Sequence, residues 1–189
     1  MTKTKLKVPA NQYDHRLGSL DAPVVVIEYG DFECPHCAAA APIFERLLND
    51  FESDLCFIYR HFPLAEIHPH AVLAAIAAEA ADQQNEFWKM HKMLLQDFDV
   101  LSIDNIYFMA KTIGLDIDKF KKDLKRDELL EHIYKNYNGG LHSGVDATPT
   151  VYVNGNRFDE ILTYDSLREE IEEELGQTRS DQNSPTIYL

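Results

Sequence analysis

Val24-Val25-Val26-Ile27-Glu28-Tyr29-Gly30-Asp31-Phe32-Glu33-Cys34-Pro35-His36-Cys37-Ala38-Ala39-Ala40-Ala41 carries one element into another across a pair of cysteines. Four β-branched residues in succession, 24–27, are the pattern of a strand buried on both faces. Gly30 and Asp31 break that strand. Pro35 suits the first position of a helix, where no backbone N–H is required. Ala38 to Ala41 are strong helix formers, and Ile43, Phe44, Leu47, Leu48 and Phe51 continue them as an apolar stripe at helical spacing. The spacing therefore predicts a helix over 35–51, with Pro42 removing one backbone bond and kinking it. Cys34 falls between strand and helix, where unpaired N–H groups and the positive end of the helix dipole meet its sulfur. Such a setting favours the thiolate, which is the reactive form of cysteine. Cys37 lies three residues on, within reach of a bond back to Cys34, and can resolve a mixed disulfide by attacking it. His36 adds a cationic or donor group beside the sulfur.

Working outward, Leu55-Cys56-Phe57-Ile58-Tyr59-Arg60 predicts a second strand. Residues 66–142 are mostly helical in pattern: an Ala-rich helix to about Asp82, one around Phe87 to Leu95, one over 103–113 stopped by Gly114, then 116–124 and 127–137 before Asn138-Gly139-Gly140. Thr150-Val151-Tyr152-Val153 is a strand, Asn154-Gly155 a hairpin turn, and Asn156-Arg157-Phe158 the return. A last helix over 163–175 has Gly176 as its stop. The order is a β-α-β half and a β-β-α half, which is an α/β thioredoxin fold: a central mixed β-sheet flanked by helices, with an all-helical insertion between the halves. The expected division is an N-terminal arm (1–19), a core (20–65 and 143–176), an inserted helical subdomain (66–142) and a flexible tail (177–189).

Composition narrows the function. The chain has 189 residues, 45% hydrophobic, enough for a core without disulfide staples. Only 3 cysteines are present, and two of them form the C-x-x-C, which points to redox chemistry or a metal rather than to architecture. A net charge of −14 without a basic patch argues against nucleic acid and against anionic membrane surfaces as partners. No stretch approaches the ~20 apolar residues of a membrane span. The N-terminus runs from Lys3, Lys5 and Lys7 into Asn11, Gln12 and Asp14 with no apolar signal region. That pattern predicts a cytoplasmic protein, with an exported protein lacking its signal as the alternative. Zinc also uses C-x-x-C but normally takes four ligands. Cys56 or a histidine would have to complete such a site, and His36, held between the cysteines, is badly placed to do so. No metal and no bound cofactor are expected.

The other conspicuous residues have plainer readings. Cys56 is expected as a small buried apolar residue, His68 and His70 as capping or surface groups, and Phe87, Trp88 and Phe98 as helix packing. The acidic run between Glu169 and Glu174 is a solvated helix face. Glu28 ends an apolar strand. It is either a strand-end carboxylate in solvent or a buried acid whose pKa rises toward neutrality. Arg60 is a candidate partner for it.

Several separated motifs, in order, resemble the DsbA-like family of thiol–disulfide oxidoreductases. They are the segment from Glu28 to Cys37, with its Pro-His dipeptide; Arg60-His61-Phe62-Pro63-Leu64; His68-Pro69-His70-Ala71; Ala74-Ala75-Ile76-Ala77-Ala78-Glu79-Ala80; and Gly144-Val145-Asp146-Ala147-Thr148-Pro149-Thr150-Val151-Tyr152-Val153-Asn154-Gly155. The resemblance spans about residues 14–176. It implies that Cys34 is the attacking and attacked sulfur, Cys37 the resolver, Glu28 an acid relaying the Cys37 proton, and Pro149 a cis-proline facing the pair. It further implies a groove for extended peptide, protein or peptide thiols and disulfides as substrates, glutathione as a small-thiol alternative, and a separate recycling partner. Thr148 departs from DsbA itself, which has Val before the cis-proline. A hydroxyl there can hydrogen-bond Cys34 and alter substrate release. Two other functions remain open: a glutathione-dependent transferase or isomerase of the same fold, against which an intact Cys37 argues, and a non-enzymatic metal-binding protein using Cys34-Pro35-His36-Cys37.

Overall fold

A computed structural model describes residues 4–182. Among these residues a five-stranded mixed sheet forms the centre, in the order β1-β3-β2-β4-β5. The strands are β1 (His15–Leu17), β2 (Val24–Gly30), β3 (Leu55–His61), β4 (Thr150–Val153) and β5 (Asn156–Arg157). β2 pairs in parallel with β3, crossing over through helix α1 (Pro35–Phe51), and antiparallel with β4 on its other side. The inserted helices α2 (Ala71–Asp82), α3 (Phe87–Gln96), α4 (Ile103–Thr112), α5 (Ile117–Asp123) and α6 (Asp127–Ser143) lie between β3 and β4 in the chain, and α7 (Tyr164–Gln182) follows the hairpin. This is the expected thioredoxin arrangement.

Alternation along the central strands divides the core in two. Val24, Val26, Leu55, Phe57 and Tyr59 share one cluster with Cys34, Cys37, Phe44 and the helices α2 to α4. Ile27, Tyr29, Cys56 and Ile58 point to the opposite face, with Phe62 and Tyr152. Cys56 is buried, as its pattern suggested. Both faces being covered is what makes 24–27 read as continuous apolar sequence.

Three boundaries depart from the sequence reading. His15–Leu17, assigned to the arm, is an edge strand antiparallel to β3. The arm before it is tied to the far edge of the sheet, where Leu6 donates its N–H to the Gly155 carbonyl at 2.9 Å. α6 passes straight through Asn138-Gly139-Gly140 and ends only at Gly144, whose φ is +88°. The reason is close approach: a Cβ on Gly140 would lie 2.7 Å from Phe62 and 3.0 Å from Tyr29. These glycines let the helix settle on the sheet rather than stopping it. α7 likewise runs through Gly176 to Gln182, so the first part of the expected tail is helical; 183–189 lie outside the described residues.

Candidate active site

The end of β2 and the start of α1 place both cysteines where the sheet opens. Cys34 is the residue preceding the helix, with extended backbone (φ −84°, ψ 121°), and Pro35 occupies the first turn. No side chain caps this end, so its N–H groups remain available to the sulfur. Both cysteines are free thiols and buried, Cys37 completely and Cys34 to 3% exposure.

The two sulfurs are driven in opposite directions. The Cys34 pKa is lowered from 9.0 to about 5, first by the Cys37 thiol donating to it and then, against the cost of burial, by the Thr148 hydroxyl and the backbone N–H groups of Cys37 and His36. The Cys37 thiol is raised well above its usual value by burial, by donating to Cys34 and by the nearby Glu28 carboxyl. Its sulfur accepts the Asp31 N–H at 3.4 Å. One cysteine is a thiolate at neutral pH, and the other holds its proton.

Thr148 and Pro149 close the site from the β4 side, and the peptide bond between them is cis. When protonated, the Cys34 thiol donates to the Thr148 carbonyl at 3.3 Å. The Thr148 hydroxyl is buried without a hydrogen-bond partner, which leaves it free to donate to the Cys34 thiolate.

Glu28 is 1% exposed and lies behind the cysteines, with one carboxyl oxygen buried and without a partner. Burial raises its pKa from 4.5 to about 8, opposed by its interaction with the Cys37 thiol. The solvent-exposed reading of Glu28 is therefore discarded. Arg60 is not its partner. In the parallel register Arg60 stands beside Tyr29, one residue away from Glu28, and so points through the opposite face of the sheet. There it holds Asp14 in a bidentate pair at 2.9 Å and binds the Val8 and Pro9 carbonyls and the Tyr29 hydroxyl. Arg60 fastens the N-terminal segment. His36 also differs from expectation: its side chain is exposed, and its backbone N–H, not its imidazole, acts on Cys34.

Sequence reasoning missed a carboxylate. Asp31 is buried and accepts the Glu33 N–H at 2.9 Å, the Leu64 N–H at 2.8 Å and His68 Nδ1 at 2.8 Å, while its own N–H reaches Cys37. Glu33 pairs with His70 at 2.9 Å. His68 and His70 thus bind the loop around the cysteines to the entry of α2 rather than simply facing solvent. Two acids two residues apart, matched by two histidines two residues apart, were the available signal. Cys56 lies on the far side of the sheet from Cys34 and Cys37, so it cannot complete a metal site with them.

Residues 10–173 match the family described as thioredoxin. The chain belongs to that family. Among solved structures of thioredoxin fold, it is similar to oxidised BdbD from Bacillus subtilis, with 26% identity and a TM-score of 0.80 over 93% of this chain and 98% of that one. It also resembles in fold the thiol–disulfide exchange protein alpha-DsbA2 from Wolbachia pipientis, with 23% identity and a TM-score of 0.78 over 86% and 88% of the two chains. The DsbA-like likeness seen in the motifs thus extends to the whole fold, helical insertion included. By sequence, the chain is 38% identical over 175 residues to the Na(+)/H(+) antiporter NhaA 1 of Salinispora arenicola, covering 92% of this chain and 27% of that protein. It is 41% identical over 153 residues to NhaA 3 of Salinispora tropica, covering 80% and 23%. The chain spans about a quarter of the length of these relatives. No helix among the described residues is long and apolar enough to cross a membrane.

Proposed function

We propose that this chain is a protein thiol–disulfide oxidoreductase that exchanges disulfides with protein or peptide thiols through Cys34 and Cys37. The observation that carries this is the split between the two sulfurs, one held as thiolate at about 5 and the other held protonated. A metal site would need both sulfurs deprotonated, and a glutathione-dependent transferase would have no use for a buried, protonated Cys37.

In the oxidising direction, a substrate thiolate attacks Cys34 of the Cys34–Cys37 disulfide. The disulfide breaks, a substrate–Cys34 disulfide forms, and the electron pair leaves on Cys37, which takes a proton from the Glu28 carboxyl. A second substrate thiolate then attacks its own sulfur in the mixed disulfide and expels Cys34 as a stabilised thiolate. The substrate has lost two electrons and the cysteine pair has gained them. The low pKa of the leaving Cys34 favours this direction, since lower-pKa thiols leave faster. Turnover requires a separate oxidising partner, itself a disulfide or another two-electron acceptor, to return the pair to the disulfide; glutathione is a small-thiol alternative to protein thiols as the substrate that the disulfide oxidises. An apolar groove of about 750 Å³ opens beside Pro35 between α1 and α3, walled by Ala38, Pro42, Trp88 and Phe98. Trp88 and Phe98, expected only to pack helices, thereby offer surface to a substrate chain.

Equilibration with glutathione redox buffers tests the reading. A Cys34–Cys37 potential well above that of the glutathione pool supports disulfide donation, and one well below it would reverse the direction. Failure of the pair to cycle between dithiol and disulfide would end the proposal.

A further inference from the structure

On the α1 side of the sheet, three histidines from three elements converge on one carboxylate. His15 Nε2 of β1 lies 2.7 Å from Glu79 Oε1 of α2, and His61 Nε2 of β3 lies 2.8 Å from the same oxygen. His132 Nε2 of α6 stands 3.7 Å from it. The donor atoms of His15, His61 and Glu79 all fall within 4.8 Å of one another, with His61 and Glu79 buried. Hydrogen bonding alone accounts for the first two histidines, which between them satisfy a buried carboxylate oxygen. It does not account for a third imidazole brought to that oxygen at a distance too long to bond. His61 Nδ1 is buried with no partner, so Nε2 is the one atom through which that ring has a polar role.

We propose that His15, His61, Glu79 and His132 bind a divalent first-row transition ion, Zn²⁺ foremost. Three imidazoles and a carboxylate form a borderline donor set suited to zinc, cobalt or nickel, not to calcium or magnesium, which take oxygen. Around a tetrahedral ion with bonds of about 2.0–2.1 Å the donor atoms stand roughly 3.3 Å apart. The two short contacts therefore open by about half an ångström, while His132, near Glu79 at 3.7 Å but outside the three-residue cluster, must swing its ring inward to become the fourth ligand. His132, with 30% of its side chain exposed, has the freedom to do so. Metal on Nε2 moves the His15 ring proton to Nδ1, which faces Asp82 at 3.8 Å; a carboxylate behind a ligating histidine is a common supporting arrangement. The ion would clamp edge strand β1 and inserted helices α2 and α6 onto β3. The site uses none of the residues that exchange disulfides, so it stands or falls independently of that function.

The experiment uses the disulfide form of the full chain, in which Cys34 and Cys37 cannot bind metal. After chelator treatment, Zn²⁺ is titrated calorimetrically, and Co²⁺ is followed by visible absorption. One equivalent should bind, raise the unfolding temperature, and give tetrahedral Co²⁺ bands without a sulfur charge-transfer band. His15→Ala and His132→Ala should each weaken binding tenfold or more, while His142→Ala, at an exposed histidine elsewhere on α6, should not. Because His132 is partly exposed, its variant keeps the test open if changes at the buried ligands prevent folding. Absence of saturable binding, unchanged affinity in His132→Ala, or equal loss in His142→Ala would overturn the site.

Discussion

At the scale of single residues, chemistry and stability pull against each other. Cys34→Ser should abolish exchange, whereas Cys37→Ser should leave mixed disulfides that persist on non-reducing electrophoresis, because the resolving thiol is gone. Stable mixed disulfides from Cys34→Ser instead would exchange the two roles. Glu28 shows the cost of the arrangement. Its folded pKa of about 8 lies above its ordinary 4.5, so between those values the folded state holds a proton that the unfolded state has released. Stability therefore falls as pH rises through that window, by on the order of 3 kcal/mol at pH 7. Glu28→Gln is neutral throughout. It should be more stable at pH 7 by up to that amount, with a flatter pH dependence in urea unfolding, yet tenfold or more slower in the step that protonates Cys37. A variant with the wild-type pH slope would mean that Glu28 ionises normally. Thr148→Val removes a hydroxyl that stabilises the thiolate. The alkylation midpoint of Cys34, expected near pH 5 in the parent protein from its lowered pKa, should move upward. What the sequence conveyed at this scale was residue type and order, enough to single out Cys34, Cys37, Glu28 and Pro149 as candidates. What it could not convey was the face of the sheet. One step of register sends Arg60 to Asp14 instead of Glu28, and Asp31 is bound by a histidine 37 residues away, a contact announced only by the matched two-residue spacing of Asp31 and Glu33 with His68 and His70.

At the scale of elements, the glycines separate what composition shows from what packing decides. Gly114 ends α4 with a φ of +87°, and Asn154 and Gly155 turn the hairpin with positive φ; these were legible because the demand is local. Gly140 and Gly176 were misread as stops because a glycine in a helix looks the same whether it ends the helix or admits a neighbour. The two should respond oppositely to alanine. A Cβ at position 140 meets the Phe62 ring at 2.7 Å, while at 176 nothing lies within 4 Å. Gly140→Ala should destabilise the fold by about 1–3 kcal/mol through overpacking. Gly176→Ala should stabilise it by up to about 1 kcal/mol by restricting the unfolded chain and favouring helix. Chemical denaturation of both variants checks this; a stabilising change at Gly140 would mean that α6 does not rest on Phe62. The inserted helices were legible one by one from apolar spacing, yet the junction between their block and the sheet was not. It is made by His61, Glu79 and His132, single polar residues on three elements with no periodicity to betray them.

At the scale of the whole molecule, redox state and folding are one equilibrium. The Cys34 pKa is depressed on folding from 9.0 to about 5, and only in the dithiol form, since the disulfide has no thiolate. Between those values the unfolded chain binds the proton that the folded chain has released, so stability of the dithiol form rises with pH there. The contribution is fully present above pH 9 and is lost as pH falls through about 5. Cys34 is only 3% exposed, so the shift is worth on the order of 2–3 kcal/mol at pH 7. Against this stands the disulfide's restriction of the unfolded chain, which is smallest for a loop as short as that from Cys34 to Cys37. Glu28 is buried in both forms, so to first order its penalty cancels when they are compared at the same pH. The difference in unfolding temperature between dithiol and disulfide forms then reports chiefly on Cys34. The dithiol form should be at least as stable at pH 7, and its advantage should shrink toward pH 5. That sign is also the sign of the chemistry: a protein more stable as the dithiol gains free energy by giving its disulfide away. A disulfide form clearly the more stable at pH 7 would make this chain a reductase. The Thr148 hydroxyl would then be the first contact to remove, because Thr148→Val should shift the two melting curves relative to each other without altering the fold.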